Sequence, residues 1–161
     1  MPRHETDYRI VPSVLDRLLD YEPELSTEAP VSQAKSLRLL KQAVRRDLEW
    51  LLNARQTPEV ADAETEELPT SVFAYGLPDF SGASRENIHD QNRMRLAIRR
   101  TIMLFEPRLI DVEVTLEPAR DTERALRFRI DAQLKIEPEP EPVTFDTVLQ
   151  LHSGEYKVQG G

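Results

Sequence analysis

The chain has 161 residues, a formal net charge of −8 and no cysteine. That length suits one domain with a modest core, and the missing cysteines exclude disulfide staples, thiolate catalysis and cysteine-ligated zinc. An acidic surface repels phosphate backbones, which argues against a nucleic-acid binder, and no run reaches the roughly 18 apolar residues of a membrane span.

Residues 1–9 read as a loose arm, and residues 1–24 lack an apolar segment of signal-peptide length, so a cytoplasmic location is expected. Val11–Tyr21 (VPSVLDRLLDY) predicts a short helix with Pro12 near its first turn and one apolar stripe, Val14, Leu15, Leu18 and Leu19. Two prolines mark residues 22–31 as a connector. Residues 1–31 are thus an arm with a short helix, and residues 32–161 the single α+β domain.

A long helix is predicted over Gln33–Asn53, with Ser32 as N-cap. Leu37, Leu40, Val44, Leu48, Leu51 and Leu52 recur at three- and four-residue steps and form its buried face. Lys41, Arg45, Asp47 and Glu49 lie off that face, and Trp50 is expected to pack. Residues 56–70 are an acidic loop, and Ser71–Gly82 (SVFAYGLPDFSG) is an apolar loop set by turn residues. Such a loop packs on its own core or offers a contact surface. The second long helix is predicted from about Arg85 to Phe105, where Pro107 stops it. Met94, Ile98, Ile102 and Phe105 line one side, and Arg93, Arg95, Arg99 and Arg100 the basic side.

The apolar period then changes to two. Ile110, Val112, Val114 and Leu116 make the core face of a first strand; Leu126 to Ile136 of a second; Val143 to Leu151 of a third; Tyr156–Val158 of a short fourth. Centring the first hairpin on Arg120 sets Val112 against Phe128, Val114 against Leu126, Asp111 against Arg129 and Glu113 against Arg127. Centring the Glu-Pro turn (Glu137–Pro142) between Glu139 and Pro140 sets Ile136 against Val143 and Leu134 against Phe145. The expected fold class is α+β, with N-terminal helices on one face of a small antiparallel meander of three or four strands. Its edge strands offer unpaired backbone groups to other chains.

Charge alternates in blocks. Residues 31–56 carry six Lys/Arg against two acids, residues 57–80 six acids and no base, and residues 81–110 six Arg against three acids. Each block can be a solvated face, and the set suits protein partners with complementary patches.

Catalytic motifs are absent. There is no glycine-rich phosphate loop, no nucleophile elbow and no zinc-protease pair. His4, His89 and His152 share no ligand spacing, and neither cofactor nor metal is expected. Glu106, after the apolar run Ile102–Phe105, is the one candidate acid for glycoside hydrolysis. Arg108 stands two residues on, and a carboxylate paired with Arg is held ionised, the wrong state for a general acid. Glu106-Pro107-Arg108 is either an internal salt-bridged corner or a site where Arg108 presents a bidentate fork to a partner.

Five segments carry a family resemblance: SVLDRLLD (Ser13–Asp20), RRDLEWLLN (Arg45–Asn53), SVFAYGLPDFSG (Ser71–Gly82), FEPRL (Phe105–Leu109) and the G-x-Y-x-V pattern at Gly154–Val158. Through them the sequence resembles the TssE family of type VI secretion baseplate subunits, grouped with phage baseplate wedge proteins and often labelled lysozyme-like. The resemblance implies a non-catalytic structural subunit with a fold like the sheath handshake domain. It implies a wedge shared with TssF and TssG, a sheet edge that templates the sheath proteins TssB and TssC, and a baseplate docked at the inner-membrane complex. It places Glu106, Pro107 and Arg108 at a protein interface. The alternatives are a phage tail wedge protein and a peptidoglycan-cleaving glycosidase.

Overall fold

A computed structural model describes residues 10, 12–19, 32–57, 67–80, 82–84, 86–118, 125–150 and 153–161. Among the described residues three α-helices, α1 (Val14–Leu18), α2 (Gln33–Asn53) and α3 (Ile88–Phe105), precede four strands. These are β1 (Leu109–Glu117), β2 (Ala125–Leu134), β3 (Glu141–Gln150) and β4 (Glu155–Gly160), antiparallel in the order β1-β2-β3-β4. The fold is α+β, with helices packed against one sheet. Residues 1–9, 11, 20–31 and Arg85, with the readings made on them, lie outside the described residues.

Local signals place the helices. Ser32 caps α2, its hydroxyl accepting from the Lys35 N–H. α1 is shorter than the predicted Val11–Tyr21; Ser13 caps it, so Pro12 stands outside. Its three apolar residues and the following Leu19 are all exposed, Val14 and Leu18 by 73% and 76%. Trp50, expected to pack, is 53% exposed with the Arg46 guanidinium 5.0 Å from its ring centre. The apolar loop sends Leu77 into the core and leaves Val72 and Phe73 on the surface. Gly76 there has φ of +107°, and a Cβ on it would lie 2.4 Å from the Ala54 carbonyl oxygen. α2 and α3 supply Val44, Leu48, Leu52, Met94, Ile98 and Ile102 to the core shared with the sheet.

Both expected hairpin registers are corrected. Val114 faces Ile130, Leu116 faces Phe128 and Glu117 faces Arg127, so the β1 residues from Glu113 to Glu117 pair four positions further along β2. Asp111, with φ of 53°, is the extra residue of a bulge between Ile110 and Glu113. The bulge buries Leu109 in place of Ile110. In the second hairpin Ala132 faces Val143 and Ile130 faces Phe145. Glu141 and Pro142, read as turn, open β3. Lys135 has left the β2–β3 ladder and donates its N–H to the Arg108 carbonyl at 2.7 Å. Leu151 is outside the described residues.

Helix side chains cap both outer strands. α2 runs along β4 and α3 along β1. The Asn53 carboxamide donates to the Tyr156 carbonyl and accepts its N–H, each at 2.9 Å, as a neighbouring strand would. Glu49 accepts the Val158 N–H at 3.0 Å. On β1, Arg99 Nε donates to the Val112 carbonyl at 2.8 Å and Arg95 Nη1 to that of Val114 at 3.4 Å.

Removing Asn53 strands both backbone groups of Tyr156. Asn53→Ala is expected to lower unfolding free energy by about 1–3 kcal/mol in urea titration; an unchanged midpoint would show that water replaces the cap. Tyr156 itself is 2% exposed, and burial pushes its phenol up to about 12, against a smaller opposing pull from Arg55. The folded chain keeps that proton above pH 10, where the unfolded chain loses it. This contribution, about 3 kcal/mol, is full below pH 10 and disappears as pH rises through about 12. Tyr156→Phe should flatten that part of the alkaline stability profile; an equal alkaline loss in both proteins would refute it.

Candidate functional site

The sequence drives a sharp corner where α3 becomes β1. Pro107 forbids helix at Glu106, whose N–H makes the last α3 bond to the Ile102 carbonyl at 2.8 Å. The Leu109 N–H then returns to the Glu106 carbonyl at 3.1 Å. The turn carries Glu106 inward, to 4% exposure, and leaves Pro107 outside.

A buried carboxylate needs compensation. Glu106 Oε1 accepts Arg108 Nε at 2.6 Å and Oε2 accepts Nη2 at 2.5 Å, a fork on a fork. Arg108 Nη2 reaches on to Asp47 Oδ2 of α2 at 2.6 Å. Arg46 Nη2 lies 2.8 Å from Asp47 Oδ1 and 2.9 Å from Asp16 Oδ1 of α1. The Ser13 hydroxyl closes the chain on Asp16 Oδ2 at 2.5 Å. Three carboxylates alternate with two guanidiniums and tie α1, α2 and the corner together.

The ionisation equilibria follow. Hydrogen bonding to Glu106 holds the Arg108 guanidinium above its ordinary range; burial opposes this and Asp47 adds to it. Arg46 is raised too: burial pulls against the charge, but its bonds to Asp47 and Asp16 prevail. Burial would raise the Asp16 carboxyl, yet Ser13 and Arg46 bring it below its usual value. The Tyr75 phenol is pushed up by burial and by the charges of Asp47 and Glu106.

Beside the network lies a groove of about 400 Å³. Trp50, Leu51, Tyr75, Phe105 and Leu15 supply its apolar walls, and Asp47, Glu106 and Arg108 its charged floor. Tyr75 and Phe105 meet edge to face with ring centres 5.4 Å apart. The triplet is therefore a salt-bridged corner within the chain, with Pro107 and a quarter of the Arg108 side chain reaching its surface. Among the described residues Arg108 Nη1 has no hydrogen-bond partner.

Sequence reading missed Asp47, Arg46 and Asp16. Asp47 did carry a signal: residues three and four away on α2 are Ala43, Val44, Trp50 and Leu51, so no base at helical pairing distance on its own helix answers it. Of the other candidates, Arg93 pairs with Asp90, Arg95 and Arg99 serve β1, and Arg100 is exposed. His89 is exposed; His4 and His152 lie outside the described residues. Among the described residues no cluster of acids and histidines could hold a metal ion, and no helix is long and apolar enough to cross a membrane.

Truncating Arg108 leaves the buried Glu106 carboxylate uncompensated and Asp47 with Arg46 alone. Arg108→Ala is expected to cost about 3–5 kcal/mol of stability, measured by urea unfolding, and Arg108→Lys less. A loss below about 1 kcal/mol would mean that the network does not hold the corner.

A family model for the baseplate wedge protein gp25 matches residues 38–139, more than half of the chain. The match runs from α2 through β2 and contains Asp47 and the whole triplet. No curated protein matches the chain.

Proposed function

The chain belongs to the gp25 baseplate wedge protein family, and we propose on that footing that it is the wedge subunit of a type VI secretion baseplate. In this reading it joins TssF and TssG and templates the first turn of a sheath built from TssB and TssC. It works in the cytoplasm, in a baseplate docked at the inner-membrane complex. A phage tail counterpart would share the structural role and differ in its partners.

One observation carries the proposal: the family match encloses the corner, and the corner is built to hold a surface still. The ion chain fixes α1, α2 and the start of β1 relative to one another. What it presents is exposed Pro107, half-exposed Trp50 and the groove between them. A rigid patch with an aromatic anchor and a charged floor suits a protein interface. We assign the outward side of Glu106-Pro107-Arg108 to that interface, with Glu106 setting the shape from beneath.

The glycosidase reading fares worse on the same geometry. Both Glu106 carboxylate oxygens are engaged by one guanidinium, which offers no free acid to a sugar bond. A structural, non-catalytic role is the better account.

Pull-down of the tagged chain from its host, followed by mass spectrometry, is expected to recover wedge and sheath proteins. Trp50→Ala and Pro107→Ser should cut that recovery while leaving the urea midpoint within about 0.5 kcal/mol of the parent. Recovery of nothing by a well-folded parent would sink the proposal. Peptidoglycan clearance that vanishes in Glu106→Gln would replace it with the glycosidase.

A further inference from the structure

The exposed face of α3 sorts into three rows. Leu96 and Met103, 50% and 55% exposed, stand about two turns apart on one line. Arg95 and Arg99 lie on the side toward β1, where both donate to strand carbonyls. Arg93 and Arg100 lie on the other side of the line. An apolar ridge therefore runs between two rows of arginines. Of α3 only Phe105 lines the groove beside Trp50, so this face is separate from that one.

The charge on this face is poorly answered. Asp90 is the one acid in α3, and its carboxylate already accepts the Ser84 N–H at 2.9 Å. Arg93 stands 3.5 Å from Asp90 with 72% of its side chain exposed, a contact worth little in water. Arg100 is exposed and, among the described residues, without an ion pair. The spacing fits a short helix seam. With Leu96 and Met103 at the a positions of a heptad, Arg93 and Arg100 fall at e and Arg95 at g, the positions that choose a partner by charge. Arg99 falls at d and would block the seam, but its bond to the Val112 carbonyl at 2.8 Å draws it aside toward β1. A second copy offering its own α3 would set arginine against arginine, so the occupant is a different protein.

We propose that the outer face of α3 docks an amphipathic helix of another protein, one whose apolar stripe is flanked on both sides by carboxylates. Leu96 and Met103 enter that stripe, and the unbranched methionine side chain adapts to it. Arg93 and Arg100 on one flank, and Arg95 on the other, meet the carboxylates. The ridge selects a helix over a bare polyanion, which gains nothing from Leu96 or Met103. The proposal goes beyond the baseplate reading and does not depend on it.

The test uses the whole chain and two synthetic peptides of about three heptads, with leucine at a and d and either glutamate or lysine at e and g. Affinity is measured by fluorescence anisotropy. Position is read from the methionine methyl signals in NMR, where Met103 reports the face and Met94, 2% exposed in the core, is the control. The glutamate peptide is expected to bind at least about tenfold more tightly than the lysine peptide, and to shift Met103 and leave Met94 in place. Leu96→Gln should weaken it about tenfold. The Arg93→Gln/Arg100→Gln double variant should lose the charge preference. These side chains are exposed, so thermal melting is expected to show both variants folded. Equal affinity for the two peptides, no binding of either, or a shift at Met94 without one at Met103 would each overturn the proposal. Tighter binding to phosphatidylglycerol vesicles or to duplex DNA than to the glutamate peptide would overturn it in favour of a membrane or nucleic-acid face.

Discussion

Much of this molecule follows from one costly choice, a carboxylate carried almost wholly out of water at the end of a helix. Glu106 cannot sit at 4% exposure without a counter-charge, and Arg108 can supply one only by folding back across Pro107. That fold-back leaves the guanidinium reaching toward α2, where Asp47 receives it. Asp47 in turn needs Arg46, and Arg46 brings Asp16 and with it α1. A five-residue helix with no buried side chain is held in place this way. Removing either guanidinium deepens the excess of three carboxylates over two guanidiniums, so the links depend on one another.

The helices and the fold class were legible because their signals are local and repeated. Ser32 and Pro107 bracket α2 and α3 through backbone chemistry that does not depend on tertiary contacts. The register was not legible, and the reason is geometric. A slip of one residue would have turned Val114 and Phe128 to the wrong face, but a slip of four leaves every side chain on its proper face. Wet-face charges could not break the tie, since Arg127 and Arg129 serve Glu117 as well as they would serve Glu113. The bulge at Asp111 was hidden for a similar reason: Leu109 and Ile110 are equally apolar, and only the left-handed turn decides which is buried.

The site was half legible. The triplet stood out as a helix-to-strand junction with paired charges, and its two possible roles could be named from sequence. Which partner lay beneath it could not, because Asp47 is 61 residues from Arg108. The edge caps were equally distant in sequence: Asn53 meets Tyr156 across 103 residues. Amphipathic patterning reports which face a helix buries and is silent on where the polar residues at its margin end up. Here those margins carry the arginines of α3 and the Glu49 and Asn53 of α2.

Asn53 gives the sheet a direction of growth. A carboxamide that reproduces the bonding of a strand residue acts as a terminator, since the next chain finds its place already taken. With β4 ended in this way, two copies cannot join through that edge, and a pile of copies cannot extend into a ribbon.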